Sequence, residues 1–141
     1  MSIDKYKLEN AIQNVKEESI VDTNLSEIKT IKNNVLQQLQ LSKEKLLDFH
    51  KRLEKYKFID EITELNCGDY VRWIDLNNPS NIKIANGAFI CDIEINKDGI
   101  HLKLKTISNR HIQLRMDEIF LFRKLTDDEL VILSALKYIN K

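Results

Sequence analysis

Residues 88 to 107, AFICDIEINKDGIHLKLKTI, decide the fold class. Phe89, Cys91, Ile93 and Ile95 alternate with mostly polar residues up to an Asp98-Gly99 turn signal. Beyond it Ile100, Leu102, Leu104 and Thr106 carry the alternation on, and Ile112, Leu114 and Met116 repeat it once more. Period two with one oily face is the pattern of antiparallel strands whose other face meets water. Cys91 thereby falls on the expected core face and His101 on the wet face.

Working outward, turn signals bound further strand-like runs. They are Asn66-Cys67-Gly68-Asp69, Asn77-Asn78-Pro79-Ser80-Asn81, Asn86-Gly87 and Ser108-Asn109-Arg110. Between them the sequence predicts strands over 69–75, 82–86 running into 88–95, 100–107, 112–116 and 118–123, all rich in Ile, Val and aromatics. Five short strands suit a small closed barrel better than an open sheet with bare edges. The strand count and loop-length order resemble the SH3-like barrels of the Tudor and KOW type, with Asp117-Glu118 as the short turn before the last strand. That likeness covers residues 67–124 and implies a fold, not an activity.

Glycine and proline are absent before Gly68, so the chain divides near residue 65. Leu8, Ile12 and Val15 mark a short first helix, and Asn24 with Glu27 resembles a capping box opening a second. From there Leu25, Ile28, Lys32, Val35, Leu39, Ser42, Leu46, Phe49, Leu53 and Tyr56 advance by alternating steps of three and four. This coiled-coil spacing lasts about four heptads. A helix from 24 to 57 would be roughly 50 Å long, more than a small barrel can cover. Its ridge is expected to pack on a helical hairpin partner within the chain or on a second copy.

After the strands, Thr126-Asp127-Asp128-Glu129 is a capping box with acid in the first turn, opening a C-terminal helix. Leu130, Leu133, Leu136 and Ile139 share one side, and Val131, Ile132, Ala135 and Tyr138 make the rest apolar, so this helix is expected to be buried. Phe120 and Phe122 lie on one side of the last strand, opposite Ile119 and Leu121. The simplest arrangement has the C-terminal helix covering the Phe pair. The expected fold is therefore α+β: a helical or coiled-coil region over 1–65, an SH3-like five-stranded barrel over 66–124 and a helix over 125–141.

Composition narrows the chemistry. The 141 residues carry 22 Lys+Arg against 22 Asp+Glu, so no net field draws in nucleic acid or an anionic membrane. The apolar runs are too short for a membrane span, and the charged start, Met1-Ser2-Ile3-Asp4-Lys5, lacks the core of a signal peptide. With two cysteines, Cys67 and Cys91, and no disulfide framework, an intracellular, reducing location is expected. Cys67, Cys91, His101 and His111 have no zinc-type spacing, so no metal is expected. The chain lacks a glycine-rich phosphate loop and any nucleophile or metalloprotease motif, and a small barrel leaves little room for a pocket. No enzyme activity, cofactor or small-molecule substrate is expected.

Two binding readings remain. In the first, a non-enzymatic structural or adaptor protein self-associates, or docks to a helical partner, through Leu25, Ile28, Val35, Leu39, Leu46, Phe49, Leu53 and Tyr56, with Phe120 and Phe122 as a second contact patch. In the second, the wet face of the third and fourth strands binds nucleic acid through His101, Lys103, Lys105, Arg110, His111 and Arg115. Asp92 and Glu94 face these cations across the hairpin and neutralise much of the stripe, which favours the first. Gly68-Asp69-Tyr70-Val71-Arg72, Asn86-Gly87-Ala88-Phe89-Ile90 and Ile119-Phe120-Leu121-Phe122 also resemble small uncharacterised proteins of large DNA viruses. That likeness implies a component of a virion or viral factory. Abundant Ile, Lys and Asn, the mark of AT-rich coding, agree with it.

Overall fold

The stretch expected to run as one helix from 24 to 57 is instead two helices and a strand. A computed structural model of the chain describes residues 25–139, with side chains through 136; the expected first helix at Leu8–Val15 and the cap at Asn24 lie outside the described residues. Helix α1 spans Leu25–Gln37. Its end tightens into three-residue turns, with Gln38, Leu39 and Gln40 N–H groups donating to Val35, Leu36 and Gln37 carbonyls. Gln40 then takes a left-handed φ of 53°, as chains often do just past a helix end. Ser42 restarts the helix by accepting a hydrogen bond from the Lys45 N–H at 3.3 Å, and α2 runs over Lys43–Arg52. The seam survives, folded back on itself.

Strand β1, Tyr56–Ile59, follows. Lys32 explains how a cation sits on an oily seam. Its Nζ is buried and donates to the Leu53 and Tyr56 carbonyls, at 2.7 and 3.0 Å, where α2 gives way to β1. Burial, and next the charge of Lys29, lower its pKa to about 8 against a weaker opposing pull from Glu54.

The remaining elements are β2 (Tyr70–Asp75), β3 (Ala88–Asn96), β4 (Gly99–Lys105), β5 (His111–Arg115), a 3-10 turn (Met116–Glu118), β6 (Ile119–Lys124) and α3 (Asp127–Ile139). All pairings are antiparallel, in the order β1-β6-β2-β3-β4-β5. The expected closed five-stranded barrel is thus a six-stranded open sheet. Both edges of β6 are occupied, by β2 and β1, and no ladder joins β5 to β1. The expected run 82–86 contributes only a bridge from Ile84 to Ile74. One face nevertheless forms a single core in which Ile59 of β1 shares a cluster with Trp73, Ile90, Leu104 and Leu121, with Ile112 and Leu114 of β5 against it.

Two bulges interrupt the regular pairing around β3. Gly68, at φ +95°, donates to the Ile90 carbonyl while Ile90 donates back to Asp69, an arrangement that places glycine at the left-handed position. The second falls at Cys91, where the β3–β4 register slips between Ile90 and Asp92. The slip overturns the expected phase of β3. Ala88 and Ile90 enter the core, Phe89 and Cys91 face outward, and Ile95 is exposed, whereas Ile93 packs on the core as expected.

The outer side of β1, β6 and β2 is covered by α1 and α2, not by the C-terminal helix. Phe122 and Ile74 are fully buried there with Val35, Leu36, Phe49 and Leu53. Helix α3 packs on α1 through Ile28, Leu125, Ile132 and Leu133. The Thr126–Glu129 capping box forms, with N–H to side-chain bonds of 3.0 and 3.1 Å. Glu129 also takes a buried two-pronged grip on Arg123 of β6, at 2.6 and 2.9 Å. Among the described residues no helix is long and apolar enough to cross a membrane.

Candidate functional site

The expected docking ridge is spent within the chain. Ile28, Val35, Phe49, Leu53, Tyr56 and Phe122 are buried, and Leu25, Leu39, Leu46 and Phe120 are half-buried. What the two helices leave outside is Ile31, 45% exposed, and Leu47, 60% exposed.

The outer face of β3, β4 and β5 is different, since nothing covers it in the described chain. Leu102 and Leu104 turn inward, so His101, Lys103 and Lys105 turn out; likewise Ile112 and Leu114 send out His111, Gln113 and Arg115. The pairing registers align these side chains in rows across the strands. Tyr70 pairs with Phe89, Phe89 with Lys105, and Lys105 with His111, one row over four strands. The Cys91 bulge is what brings Phe89 into that row. Its ring, 42% exposed, meets Tyr70 edge-on at 4.9 Å, and the Tyr70 hydroxyl donates to the Asn86 carbonyl. Arg110 stands at the row's end in a tight 106–110 turn, in which Arg110 N–H donates to Thr106 Oγ1 and Asn109 is left-handed. Neither Lys105 nor Arg110 is in an ion pair among the described residues.

Further along, the expected neutralisation is present. Lys103 bonds Glu94 at 2.8 Å, and that hydrogen bond, helped by the paired charges, holds the Glu94 pKa down and the Lys103 pKa up. The uncompensated positive end is therefore the end with the aromatics. The structure brings Lys105, Arg110 and His111 together, and sets His101 and Arg115 opposite each other four residues away along the strands.

At that second place lies a cleft of about 420 Å³, beside the 3-10 turn. Its walls include Asp75, His101, Gln113, Arg115 and Glu118, with Leu114 and Ile119 as apolar surface. The expected small barrel would leave little room for a pocket, and the open sheet edge beside the 3-10 turn leaves more. Asp75 and Glu118 reach it because Asp75 at the end of β2 pairs with Ile119 at the start of β6, with the Leu76 N–H donating to the Glu118 carbonyl. Arg115 is anchored by bonds from Nη2 to the Asp98 carbonyl, 2.7 Å, and Asp117, 3.3 Å. Its Nε and the His101 Nε2 are buried without a hydrogen-bond partner. Among the described residues no three His, Cys, Asp or Glu side chains are placed to share a metal ion.

Sequence reasoning missed Asp75, Glu118 and the outward Phe89. The first two depend on a long-range pairing and the third on a bulge, neither of which leaves a local signal. No family model matches the chain, and no curated protein or solved structure is significantly similar to it.

Proposed function

We propose that the chain is a non-catalytic, single-strand nucleic-acid-binding module built on an open antiparallel sheet whose β2 to β6 follow the strand order of the SH3-like folds, with the outer face of β3, β4 and β5 as its binding surface. That order is a meander, a 3-10 turn, then a last strand returning beside the first. One observation carries the function, the row Tyr70–Phe89–Lys105–His111 with Arg110 at its end. A half-exposed aromatic ring offers a stacking surface to any base, and adjacent unpaired cations hold the flanking phosphates. Asp92 and Glu94 confine the footprint to that end. On the likeness to proteins of large DNA viruses, such a module would serve in a virion or viral factory.

The test is a polarisation titration with a labelled uridylate dodecamer. If Lys105 and Arg110 each neutralise one phosphate, affinity should fall about 7-fold between about 50 and 200 mM salt. Lys105→Glu with Arg110→Glu should abolish binding at both. Absence of binding by the unaltered chain at low salt would retire the proposal.

A second reading, a structural or adaptor role through the helices, keeps one observation, the exposed Ile31 and Leu47. It would show as concentration-dependent sedimentation.

A further inference from the structure

We infer that the cleft beside the 3-10 turn is a base-reading subsite, and that the base it takes is guanine. This inference rests on the nucleic-acid reading above and adds sequence preference to it. The argument begins with unmet hydrogen-bonding capacity. Two buried side-chain nitrogens without partners, His101 Nε2 and Arg115 Nε, belong to neighbouring residues of this one cleft. Unpaired buried groups are rare in folded proteins and mark places where something else completes them. Arg115 Nε–H is a donor. The Gln113 amide nitrogen lies 3.4 Å from His101 Nδ1, and in the tautomer whose Nδ1 accepts that bond Nε2 carries the hydrogen and is a second donor.

The other side of the cleft has the opposite character. Asp75 and Glu118 present carboxylates, and Asp75 already accepts from the Asn77 N–H at 2.9 Å. Glu118 is half-buried and in no ion pair among the described residues, so its carboxylate is the acceptor left over. Once a small turn of the His101 and Arg115 side chains brings these nitrogens to the cleft, a ligand must offer acceptors to one wall and donors to the other. Phosphate fails against two carboxylates, and a simple ammonium group fails against Arg115 and His101. A nucleobase edge meets both demands, and Leu114 and Ile119 supply apolar surface for its ring. Among the bases, guanine alone sets two donors in parallel, N1–H and the exocyclic amine, matching the fork of one carboxylate, while its O6 and N7 accept. A volume of about 420 Å³ is ample for one base.

Position agrees. His101 and Arg115 share the outer-face row four residues from Lys105 and His111. At about 3.3 Å per residue that is roughly 13 Å, the reach of two or three nucleotides along the face. A strand with one base against Phe89 can therefore deliver a later one to the cleft.

The experiment compares three labelled dodecamers on the full chain: all-uridylate, the same with one central guanosine, and the same with inosine, which lacks the exocyclic amine. The guanosine oligomer should bind at least about 5-fold tighter than all-uridylate, the lower bound for one bidentate base contact, and inosine should lose most of that gain. Glu118→Gln should erase the guanosine preference while leaving all-uridylate binding within 2-fold, roughly, since it touches only the base-reading wall. His101→Phe, which removes the donor but keeps the ring's bulk, should reduce the preference too. If all-uridylate binds and guanosine adds nothing, the subsite is overturned and the binding face stands. If Glu118→Gln weakens every oligomer alike, Glu118 is structural and the assignment fails. If no oligomer binds, both readings fall together.

Discussion

Gly87 shows how much the binding row depends on single atoms. Its φ is +111°, a conformation side chains rarely adopt, and a Cβ there would lie 2.5 Å from the Tyr70 Oη. Tyr70 in turn braces Phe89 edge-on. Gly87→Ala should destabilise the chain by at least about 1–2 kcal/mol through left-handed strain alone, measured by urea unfolding, and should also weaken oligonucleotide binding by displacing the Tyr70 ring. Unchanged stability would mean the loop relaxes freely and does not brace the row. At this scale the sequence was a partial guide. The basic residues Lys105, Arg110 and His111 were visible as a wet stripe, because alternation on β4 and β5 is uninterrupted. Phe89 was not, because one extra residue at Cys91 turns the preceding strand over, and period-two reading carries no mark of where a bulge falls. Lys32 was visible as an oddity on an apolar seam; that it caps the carbonyls of Leu53 and Tyr56 follows only once α2 folds back beside it.

Among the elements, α3 is the clearest case of a local signal with a long-range use. Thr126 and Glu129 form the cap that the sequence spells out, and the same Glu129 carboxylate neutralises Arg123 of β6. Burial pushes the Glu129 pKa up, but the hydrogen bonds and charge of Arg123, with the Thr126 bonds, outweigh it and hold the pKa below the usual carboxylate value. A folded-state pKa below the unfolded one means stability that is present above the unfolded pKa and is lost as pH falls through the folded value. Glu129→Gln should cost about 3–5 kcal/mol near neutral pH by leaving Arg123 buried and unpaired, and should flatten the acid limb of the stability profile. Chemical denaturation at a series of pH values checks both; an unchanged acid limb would show that this pair does not couple α3 to the sheet. The long helix is the opposite case. Its heptad spacing was real, and most of those positions are buried or half-buried. Spacing alone cannot tell a straight ridge from one that turns at Gln40 and Ser42, since both bury the same residues. The Ser42 cap was the local clue, hidden by its own place on the seam.

For the whole molecule, an antiparallel sheet preceded by helices and followed by a C-terminal helix was legible from period and caps, but which helices cover the sheet was not, since α1 and α2 take the place expected of α3. The sixth strand and the open edge were not, because Tyr56–Ile59 reads equally as the end of a helix and as a strand until β6 is there to pair with it. The candidate site is a product of that topology. Pairing of β2 with β6 carries Asp75 and Glu118 to β5, and the β2–β3–β4–β5 registers lay aromatics and cations in one line. The buried helical ridge leaves the outer face of β3, β4 and β5 as an uncovered surface with organised chemistry. The most direct measurement is amide chemical-shift mapping of the ¹⁵N-labelled chain titrated with the uridylate dodecamer. The expected result is a set of shifts concentrated at Phe89, Lys105, Arg110 and His111, fading toward α2. Shifts confined to α1 and α2 around Ile31 and Leu47, or no shifts at low salt, would contradict the binding face.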